Sequence, residues 1–350
     1  MTTCNSAGEP TRFFNACYGK AVDRIPVWMM RQAGRYMPEY QALRKKYSFL
    51  ELCQTPALAA QATLDAARIL DTDAAIIFSD ITVPSVGMGM ELEFSPGPIF
   101  PNPIRSLRDV DALLDLEPKK HLSYVMEAIE LTRKGLKPNQ SLIGFVGAPL
   151  TLSAYMIEGT PTKNWNQFKE ALYNEESWVE ALLEKVTRAI TAHGEAQIDA
   201  GCDAIQLFDT NAGLLTPRHL RGMAFHYAEQ AITTLKKKNV PVIYFAKGIS
   251  QYLEDAMNMK PDVLGLDWTV SMANVRQELK PTCSLMGNLD PTALFSTPQT
   301  VEKMVREILD ENGHQPGFIF NLGHGILPKT PPGNAKKVVD VIRSWSQENL

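Results

Sequence analysis

The sequence predicts an α/β protein of the (β/α)₈ TIM-type barrel class, folded as one domain over residues 1–350. Eight short apolar runs alternate with longer amphipathic segments along the chain. The runs are rich in Ile, Val, Leu and Phe, which is typical of parallel strands buried on both faces. Eight strand-then-helix units is the number that closes a parallel barrel.

The predicted strands are Pro26–Met30, Ala74–Ser79, Leu142–Gly147, Ala204–Phe208, Val240–Ala246, Val263–Asp267, Ser284–Gly287 and Phe318–Leu322. Helical periodicity between them predicts helices at Ala57–Leu70, His121–Lys134, Glu175–Ala200, Thr216–Lys238, Ser250–Met257, Met272–Leu279, Pro298–Asn312 and Asn334–Gln347. The first of these helices follows Thr55-Pro56, and proline is favoured in the first turn of a helix.

The alternative to the barrel is a doubly wound open sheet. Such a sheet normally has a glycine-rich phosphate turn after its first strand. Here the first predicted strand is followed by Arg31-Gln32-Ala33-Gly34-Arg35, with no G-x-G-x-x-G and no P-loop. Residues 87–103 hold several Gly and Pro and are interpreted as an insertion after the second strand, and residues 1–12 as a flexible N-terminus. No linker interrupts the chain, which favours one domain.

Composition limits the function classes. The net charge of −4 argues against nucleic acid as the main partner, because nucleic acid demands a basic face. The five cysteines are scattered and include no C-x-x-C, which indicates a reducing compartment. No apolar stretch approaches the roughly 18 residues of a membrane span, and no signal pattern begins the chain. We therefore expect a cytoplasmic protein that binds neither nucleic acid nor a membrane.

Function in such a barrel gathers where strands end. Arg31 and Arg35 follow the first strand, and two guanidinium forks on one loop suit a polyanionic small molecule. Gly34 between them allows close approach of the backbone to a ligand. Two solvated surface arginines remain an alternative interpretation of the same pattern.

Asp80 ends the second strand, where it is functional, or else caps a helix or forms a salt bridge to a neighbouring loop. Asp209, Asp267 and Asp290 end later strands and are interpreted as structural. His324 lies between two glycines on a tight turn, which favours a ligand-facing ring. The other five histidines are interpreted as surface or core residues, and Lys247 as a snorkelling or capping lysine. Metal motifs and G-x-S-x-G are absent, so the sequence predicts neither a metal site nor a serine hydrolase.

Seven blocks of sequence resemble the uroporphyrinogen decarboxylase family, and they occur in order from about Phe13 to the C-terminus. They are 30–36 (MRQAGRY), 76–81 (IIFSDI), 147–152 (GAPLTL) with Tyr155 and Glu158-Gly159, 208–210 (FDT), 265–268 (GLDW), 287–291 (GNLDP) and 320–325 (FNLGHG).

The resemblance implies a cytosolic homodimer in haem biosynthesis that converts uroporphyrinogen III to coproporphyrinogen III by removing four acetate carboxyls as CO₂. It implies no metal or organic cofactor. Carried onto this sequence, it places substrate binding at Arg31, Gln32, Ala33, Gly34, Arg35, Asp80, Tyr155, Thr210 and His324, and catalysis at Asp80 and Arg31. Arg44 also matches a basic position of the family. Thr210 stands where many members have serine, and Asn211 where members often have a larger side chain.

The implied substrate carries eight carboxylates, so Arg31, Arg35 and His324 are expected to bind them as cations. Asp80 is expected to accept from the pyrrole N–H groups at the centre of the macrocycle. For the proton donor, Arg31, a water held by Arg31 and a substrate carboxyl are all candidates.

Two other functions compete with this one. A corrinoid or coenzyme M methyltransferase shares the barrel, but the family holds zinc through a His-x-Cys pair and a later Cys, and no such pair lies near the strand ends here. A non-catalytic tetrapyrrole carrier would bind the same ligand and release no CO₂.

Overall fold

The computed structural model describes residues 10–95 and 97–350. Its strands are β1 (Ala74–Ile76), β2 (Glu93–Phe94), β3 (Pro98–Ile99), β4 (Ser141–Gly147), β5 (Ala204–Asp209), β6 (Val242–Ala246), β7 (Val263–Gly265), β8 (Ser284–Leu289) and β9 (Phe318–Leu322). Seven of them form one parallel sheet in the order β1-β4-β5-β6-β7-β8-β9. Each of the seven lies at a predicted strand, which confirms the barrel class.

The helices are α1 (Arg12–Cys17), α2 (Pro38–Arg44), α3 (Phe49–Gln54), α4 (Pro56–Leu70), α5 (Val83–Gly87), α6 (Leu107–Ala112), α7 (Pro118–His121), α8 (Ser123–Gly135), α9 (Pro149–Glu158), α10 (Asn166–Tyr173), α11 (Ser177–Asp199), α12 (Pro217–His219), α13 (His226–Lys236), α14 (Leu253–Asn258), α15 (Met272–Asn274), α16 (Pro298–Asn312) and α17 (Pro332–Asn349). Short 3₁₀ turns cover Ala212–Leu214, Ser250–Tyr252 and Pro291–Phe295, and π-helical turns cover Leu220–Phe225 and Val275–Leu279. Among the described helices, none is long and apolar enough to cross a membrane.

The first predicted strand closes the ring between β9 and β1. Val27 makes a parallel bridge to Phe320, and the carbonyl of Val27 accepts from the Asp73 N–H at 2.8 Å. This segment is not a regular strand, because the N–H of Val27 donates to the Asp73 carboxylate at 3.0 Å in place of a backbone carbonyl. The same buried carboxylate accepts from Arg12 at 2.8 Å and Arg24 at 2.7 Å, so one side chain ties the seam together.

Side chains alternate between the barrel interior and the surrounding helices. On β6, Ile243 and Phe245 point inward into an apolar cluster with Trp28, while Tyr244 belongs to the cluster between sheet and helices. This period of two is what a strand buried on both faces requires. The interior cluster fills the barrel and leaves no pore, and in barrels of this class ligands bind above it, at the carboxyl ends of the strands.

The stretch 87–103 contains a small antiparallel hairpin of β2 and β3, in which Glu93 pairs with Ile99 and Phe94 with Pro98. Beyond it, the Phe100 N–H donates to the Gly159 carbonyl at 2.7 Å, which joins the hairpin to the loop after α9. Of the N-terminus expected to be flexible, residues 1–9 lie outside the described residues, while Thr11 caps α1.

Candidate active site

A cleft of about 560 Å³ opens at the carboxyl ends of the barrel strands. Its floor is aromatic and aliphatic: Ile76, Phe145, Phe208 and Phe245 are inward-facing residues near the ends of β1, β4, β5 and β6. The hairpin tip covers one side through Phe94, Gly97 and Pro98. An apolar base with a few polar groups around it is typical of a site for a small organic ligand.

The loop 31–35 has a conformation that projects two arginines into this cleft. Arg31 adopts a left-handed backbone conformation with φ of 61°, which is uncommon for a residue other than glycine and is often found at functional sites. Gly34 lies so close that a Cβ there would be 2.9 Å from the Arg31 carbonyl oxygen. The Arg31 side chain runs along Gly325, where a Cβ would overlap Arg31 Cδ and lie 2.7 Å from Cγ.

Gln32 is placed differently from its neighbours. Its side chain is fully buried and does not line the cleft. The Gln32 Oε1 accepts from the Met29 N–H at 3.3 Å, and the Gln32 carbonyl accepts from the Tyr36 hydroxyl at 2.8 Å. The structure therefore places the Gln32 side chain in the interior, where it fixes the shape of the loop and does not meet a ligand in the cleft.

Three arginines line the cleft: Arg31, Arg35 and Arg44. Among the described residues, no Asp or Glu oxygen lies within 4.0 Å of any of these guanidinium groups. Arg44 donates instead to the carbonyl of Tyr47 at 2.6 Å. Arg12, by contrast, is neutralised by a carboxylate partner. Because the three cleft arginines are not neutralised in this way, the mouth of the barrel carries a local positive charge, although the chain has a net charge of −4.

Asp80 lies in the same cleft, held in one orientation by Thr82. The Oδ1 atom accepts from the Thr82 N–H at 2.9 Å and from the Thr82 hydroxyl at 2.5 Å. Within the described part of the chain, no group donates to Oδ2. Burial raises the pKa of Asp80 above the ordinary 3.8, while the hydrogen bonds from Thr82 and the charge of Arg31 oppose that increase.

His324 lines the cleft on its glycine turn, with its ring centre 6.1 Å from that of Phe245. Burial lowers the pKa of His324 to about 4, and the positive charges of Arg31 and Lys247 lower it further. This shift favours a neutral imidazole near pH 7. It disagrees with the expectation that His324 is a cation, and a neutral ring can still hydrogen-bond to a ligand.

Tyr155 and Thr210 complete the polar wall. Tyr155 lies on α9 and packs edge-on against Trp165, with ring centres 4.8 Å apart. Burial raises the pKa of Tyr155, with a contribution from the nearby Asp80 charge, so its hydroxyl is protonated near pH 7. Thr210 follows β5 and also faces the cleft, and its neighbour Asn211 has a buried Nδ2 without a partner among the described residues.

Asp209 faces away from the cleft. Its buried carboxyl accepts from the Thr151 hydroxyl at 2.7 Å and from the Tyr244 hydroxyl at 2.9 Å. The Thr151 oxygen also accepts from the Asn211 N–H at 3.2 Å, so this group shapes the turn that presents Thr210. Burial raises the pKa of Asp209 to about 6.

The structure thus brings eight of the nine predicted binding residues together at one cleft and leaves the Gln32 side chain outside it. Sequence reasoning missed the aromatic floor. The signal was present, since Phe145, Phe208 and Phe245 share the inward-facing parity of their strands. Sequence reasoning also missed the role of Thr82 in orienting Asp80. The D-x-T pattern was the signal for it, because Asp80, Asp267 and Asp290 each accept from the N–H of the threonine two positions later. In residues 10–95 and 97–350, no three His, Cys, Asp or Glu side chains form a potential metal-binding group.

Known proteins resemble this chain along most of its length. The family model for uroporphyrinogen decarboxylase (URO-D) matches residues 9–345. The uroporphyrinogen decarboxylase of Geobacter metallireducens is 47% identical over 337 residues, covering 96% of this chain and 99% of the relative. That of Trichlorobacter lovleyi is 47% identical over 336 residues, with 96% and 99% covered. A solved methyltransferase from Methanosarcina mazei has a TM-score of 0.79 at 19% identity, covering 95% of this chain and 98% of that one, which shows the shared fold alone.

Proposed function

The chain belongs to the uroporphyrinogen decarboxylase family, and from that premise we propose that it removes the four acetate carboxyls of uroporphyrinogen III as CO₂ to give coproporphyrinogen III. Membership of the family confirms the resemblance noted in the sequence. The relatives of the chain are named as decarboxylases, which are carboxy-lyases. The observation that carries the proposal for the site is that one acid, Asp80, shares an apolar cleft with three arginines that have no carboxylate partner among the described residues.

The arginines suit the acid arms of the substrate. Arg31 and Arg35 have no carboxylate partner in the described residues, so their donors are available to a ligand. An ion pair at about 4 Å and an effective dielectric near 20 gains roughly 4 kcal/mol before desolvation is counted. Leaving a substrate carboxylate unpaired in this partly dry cleft would be costly, so these guanidinium groups select for a polycarboxylate.

Asp80 suits the centre of the macrocycle. An anion among substrate carboxylates would repel them, but a pyrrole N–H can donate to a carboxylate in a charge-assisted bond. The two hydrogen bonds from Thr82 occupy Oδ1 and fix the orientation of the group, which leaves Oδ2 for the ligand. We assign Asp80 the role of accepting the inner N–H groups.

The same contact supports the chemistry. Protonation of the pyrrole carbon beside an acetate arm gives an azafulvenium-type cation. The bond to the carboxylate then breaks, its electron pair flows into the ring, and CO₂ leaves. The exocyclic methylene takes up a proton and the ring carbon loses one, so that in net terms hydrogen replaces CO₂. A fixed anion near the ring N–H stabilises the cationic state more than the neutral substrate, and such differential stabilisation accelerates a reaction.

In this scheme the substrate ring itself is the electron sink, so we propose that no organic cofactor takes part. Arg31 is our first candidate for delivering the proton, either directly or through a water or a substrate carboxyl that it holds. Tyr155, Thr210 and neutral His324 then position substrate through hydrogen bonds. The Gln32 side chain shapes the loop, and Ala33 and Gly34 contribute their backbone to the cleft wall.

The test is anaerobic incubation of the chain with uroporphyrinogen III, with the remaining carboxyls counted by chromatography and mass spectrometry. We expect seven-, six-, five- and four-carboxyl products to accumulate in turn. A tetrapyrrole carrier would bind without any loss of carboxyls, and that result would refute the proposal.

Asp80→Asn tests the role of the anion. We expect a folded variant whose kcat is lower by about two to three decades, the typical cost of one fixed electrostatic contact. Asp290→Asn is the matched control, since Asp290 ends another strand in the same D-x-T turn and lies outside the cleft. If the two variants turn over substrate equally well, Asp80 does not have the assigned role.

The cytoplasmic location and the homodimer remain proposals. Analytical ultracentrifugation of the purified chain, with and without uroporphyrin, tests the dimer. A monomer that is fully active at assay concentration would remove it.

A further inference from the structure

Lys247 follows β6 directly, on a backbone that its neighbours hold in place. The next N–H, of Gly248, donates to Asp267 Oδ2 at 2.6 Å. Gly213 packs so tightly on the other side that a Cβ there would overlap the Lys247 carbonyl oxygen. The point from which this side chain leaves the barrel is therefore fixed by contacts from two neighbouring loops.

The ammonium group of Lys247 stacks on an aromatic face. Its Nζ lies 5.4 Å from the ring centre of Trp268, whose side chain is 37% exposed. Among the residues that the structure describes, no carboxylate pairs with Lys247. The nearby Asp267 uses both oxygens otherwise, since Oδ1 accepts from the Thr269 N–H at 2.8 Å and Oδ2 from Gly248. A desolvating indole face holds a cation without neutralising it.

The ring order places the backbone of Lys247 opposite the segment that carries the arginines. If the segment of residues 26–30 is taken as the first position of the eight, β6 is the fifth, four positions away in either direction. Arg31, Arg35 and Arg44 all follow that first segment. Lys247 does not line the cleft itself, but its charge contributes to the lowered pKa of His324, which does. Without Lys247, the described cations at the mouth would be concentrated on one side.

We propose that Lys247 is a further substrate-binding cation, which holds a carboxylate arm of the tetrapyrrole on the side of the mouth opposite Arg31 and Arg35. This inference rests on the proposed function, because it requires a ligand with acid arms around its whole circumference. Attraction from opposing directions keeps a ring with carboxylates on all sides centred over Asp80. Lys247 supplies the second direction, and Trp268 keeps its ammonium at the rim.

The experiment compares Lys247→Met, which keeps a long apolar stem, with Lys247→Arg, which keeps the charge. Lys20→Met is the matched control, because Lys20 is an exposed lysine just after α1 with no carboxylate partner among the described residues. Two readouts are taken: KM and kcat for uroporphyrinogen, and Kd for uroporphyrin, an unreactive octacarboxylate, from quenching of protein fluorescence. Both are measured in about 0.01 M and about 0.15 M salt, where screening lengths are roughly 30 Å and 8 Å.

We expect Lys247→Met to raise KM and Kd by about three- to tenfold at low salt, the effect of losing one solvent-exposed, charge-assisted contact. The increase should be smaller at high salt, because salt screens such a contact. The kcat should change by less than about twofold, because the contact is the same in ground and transition states. Lys247→Arg should behave like the unmodified chain. If Lys247→Met fails to fold, Lys247→Gln replaces it.

Failure of the Lys247 inference and failure of the proposed function would give different results. If the unmodified chain decarboxylates uroporphyrinogen and Lys247→Met matches Lys20→Met in KM and Kd, the inference is wrong and the proposed function stands. If the unmodified chain binds uroporphyrin in a Lys247-dependent way but releases no CO₂, the cation site stands and the proposed decarboxylation is wrong.

Discussion

Asp209 provides a quantitative test of the polar groups behind the cleft. Its carboxyl is fully buried, with hydroxyl donors from Thr151 and Tyr244 and no cation partner in the described residues. Burial disfavours the charged form more than these two hydrogen bonds favour it, so the pKa of Asp209 rises from 3.8 to about 6. We predict that Asp209→Asn makes the protein more stable relative to the unmodified chain as pH increases.

The direction of this change in stability follows from proton linkage. Because the folded-state pKa is raised, the folded chain binds this proton more tightly than the unfolded chain. The resulting stabilisation is fully present below about pH 3.8 and is lost as pH rises to about 6. The difference of about 2.2 pKa units, 6 minus 3.8, corresponds to about 3 kcal/mol at 1.36 kcal/mol for each unit. Asparagine carries no charge at either pH and preserves one acceptor and one donor toward the two hydroxyls.

The assay is urea unfolding of both proteins at several pH values from about 4 to about 7. The free energy of unfolding of Asp209→Asn minus that of the unmodified chain should rise by about 2.4 kcal/mol across this range, because part of the full 3 kcal/mol is already lost at about pH 4. Asp71→Asn is the control, because Lys137 and Arg343 lower the pKa of Asp71 to about 2 despite partial burial, so its difference should stay constant over the same range. A constant difference for Asp209→Asn as well would refute the reasoning.

Two further substitutions test the arginine loop. Arg35→Ala should raise KM about tenfold or more with a smaller effect on kcat, since it removes charge-assisted hydrogen bonds to substrate; an unchanged KM in steady-state kinetics would exclude Arg35 from carboxylate binding. Gly325→Ala should reduce kcat/KM by roughly 10²-fold, because the new Cβ displaces the Arg31 side chain that packs there. Gly333→Ala, where a Cβ meets nothing within 4 Å, is its control, and equal kcat/KM in the two variants would contradict this account of Arg31.

Local pattern was sufficient to predict the barrel, because strands such as Ala204–Asp209 carry their own signal of burial on both faces. The segment of residues 26–30 was predicted as a strand and occupies that position, but the side chain of Asp73 takes the place of a ladder carbonyl. That contact joins residues 46 positions apart, and no periodicity encodes it. The helix predicted over Thr216–Lys238 is in fact α12, a π-helical turn and α13.

Some features of the site could be predicted from local sequence, and others depend on distant contacts. Arg31, Arg35 and Asp80 could be predicted, since charged residues directly after buried strands collect at one end of a barrel. The interior position of Gln32 could not, because it depends on hydrogen bonds with the Met29 N–H and the Tyr36 hydroxyl that form only once the loop has folded. The lowered pKa of His324 could not be predicted for a related reason, since it arises from burial and from Arg31 and Lys247, which are far away in sequence.

The Thr82 contacts to Asp80 have a consequence for how one pocket could process four arms. Because Oδ1 is already occupied, the inner N–H groups of a macrocycle would meet one acceptor, Oδ2, beneath its axis. A point on the axis of a nearly fourfold object cannot distinguish one quadrant from the next. If the pyrroles meet Asp80 as proposed, partly processed intermediates could dissociate, rotate by a quarter turn and return to an equivalent pose, so a single set of reacting groups would suffice for all four eliminations.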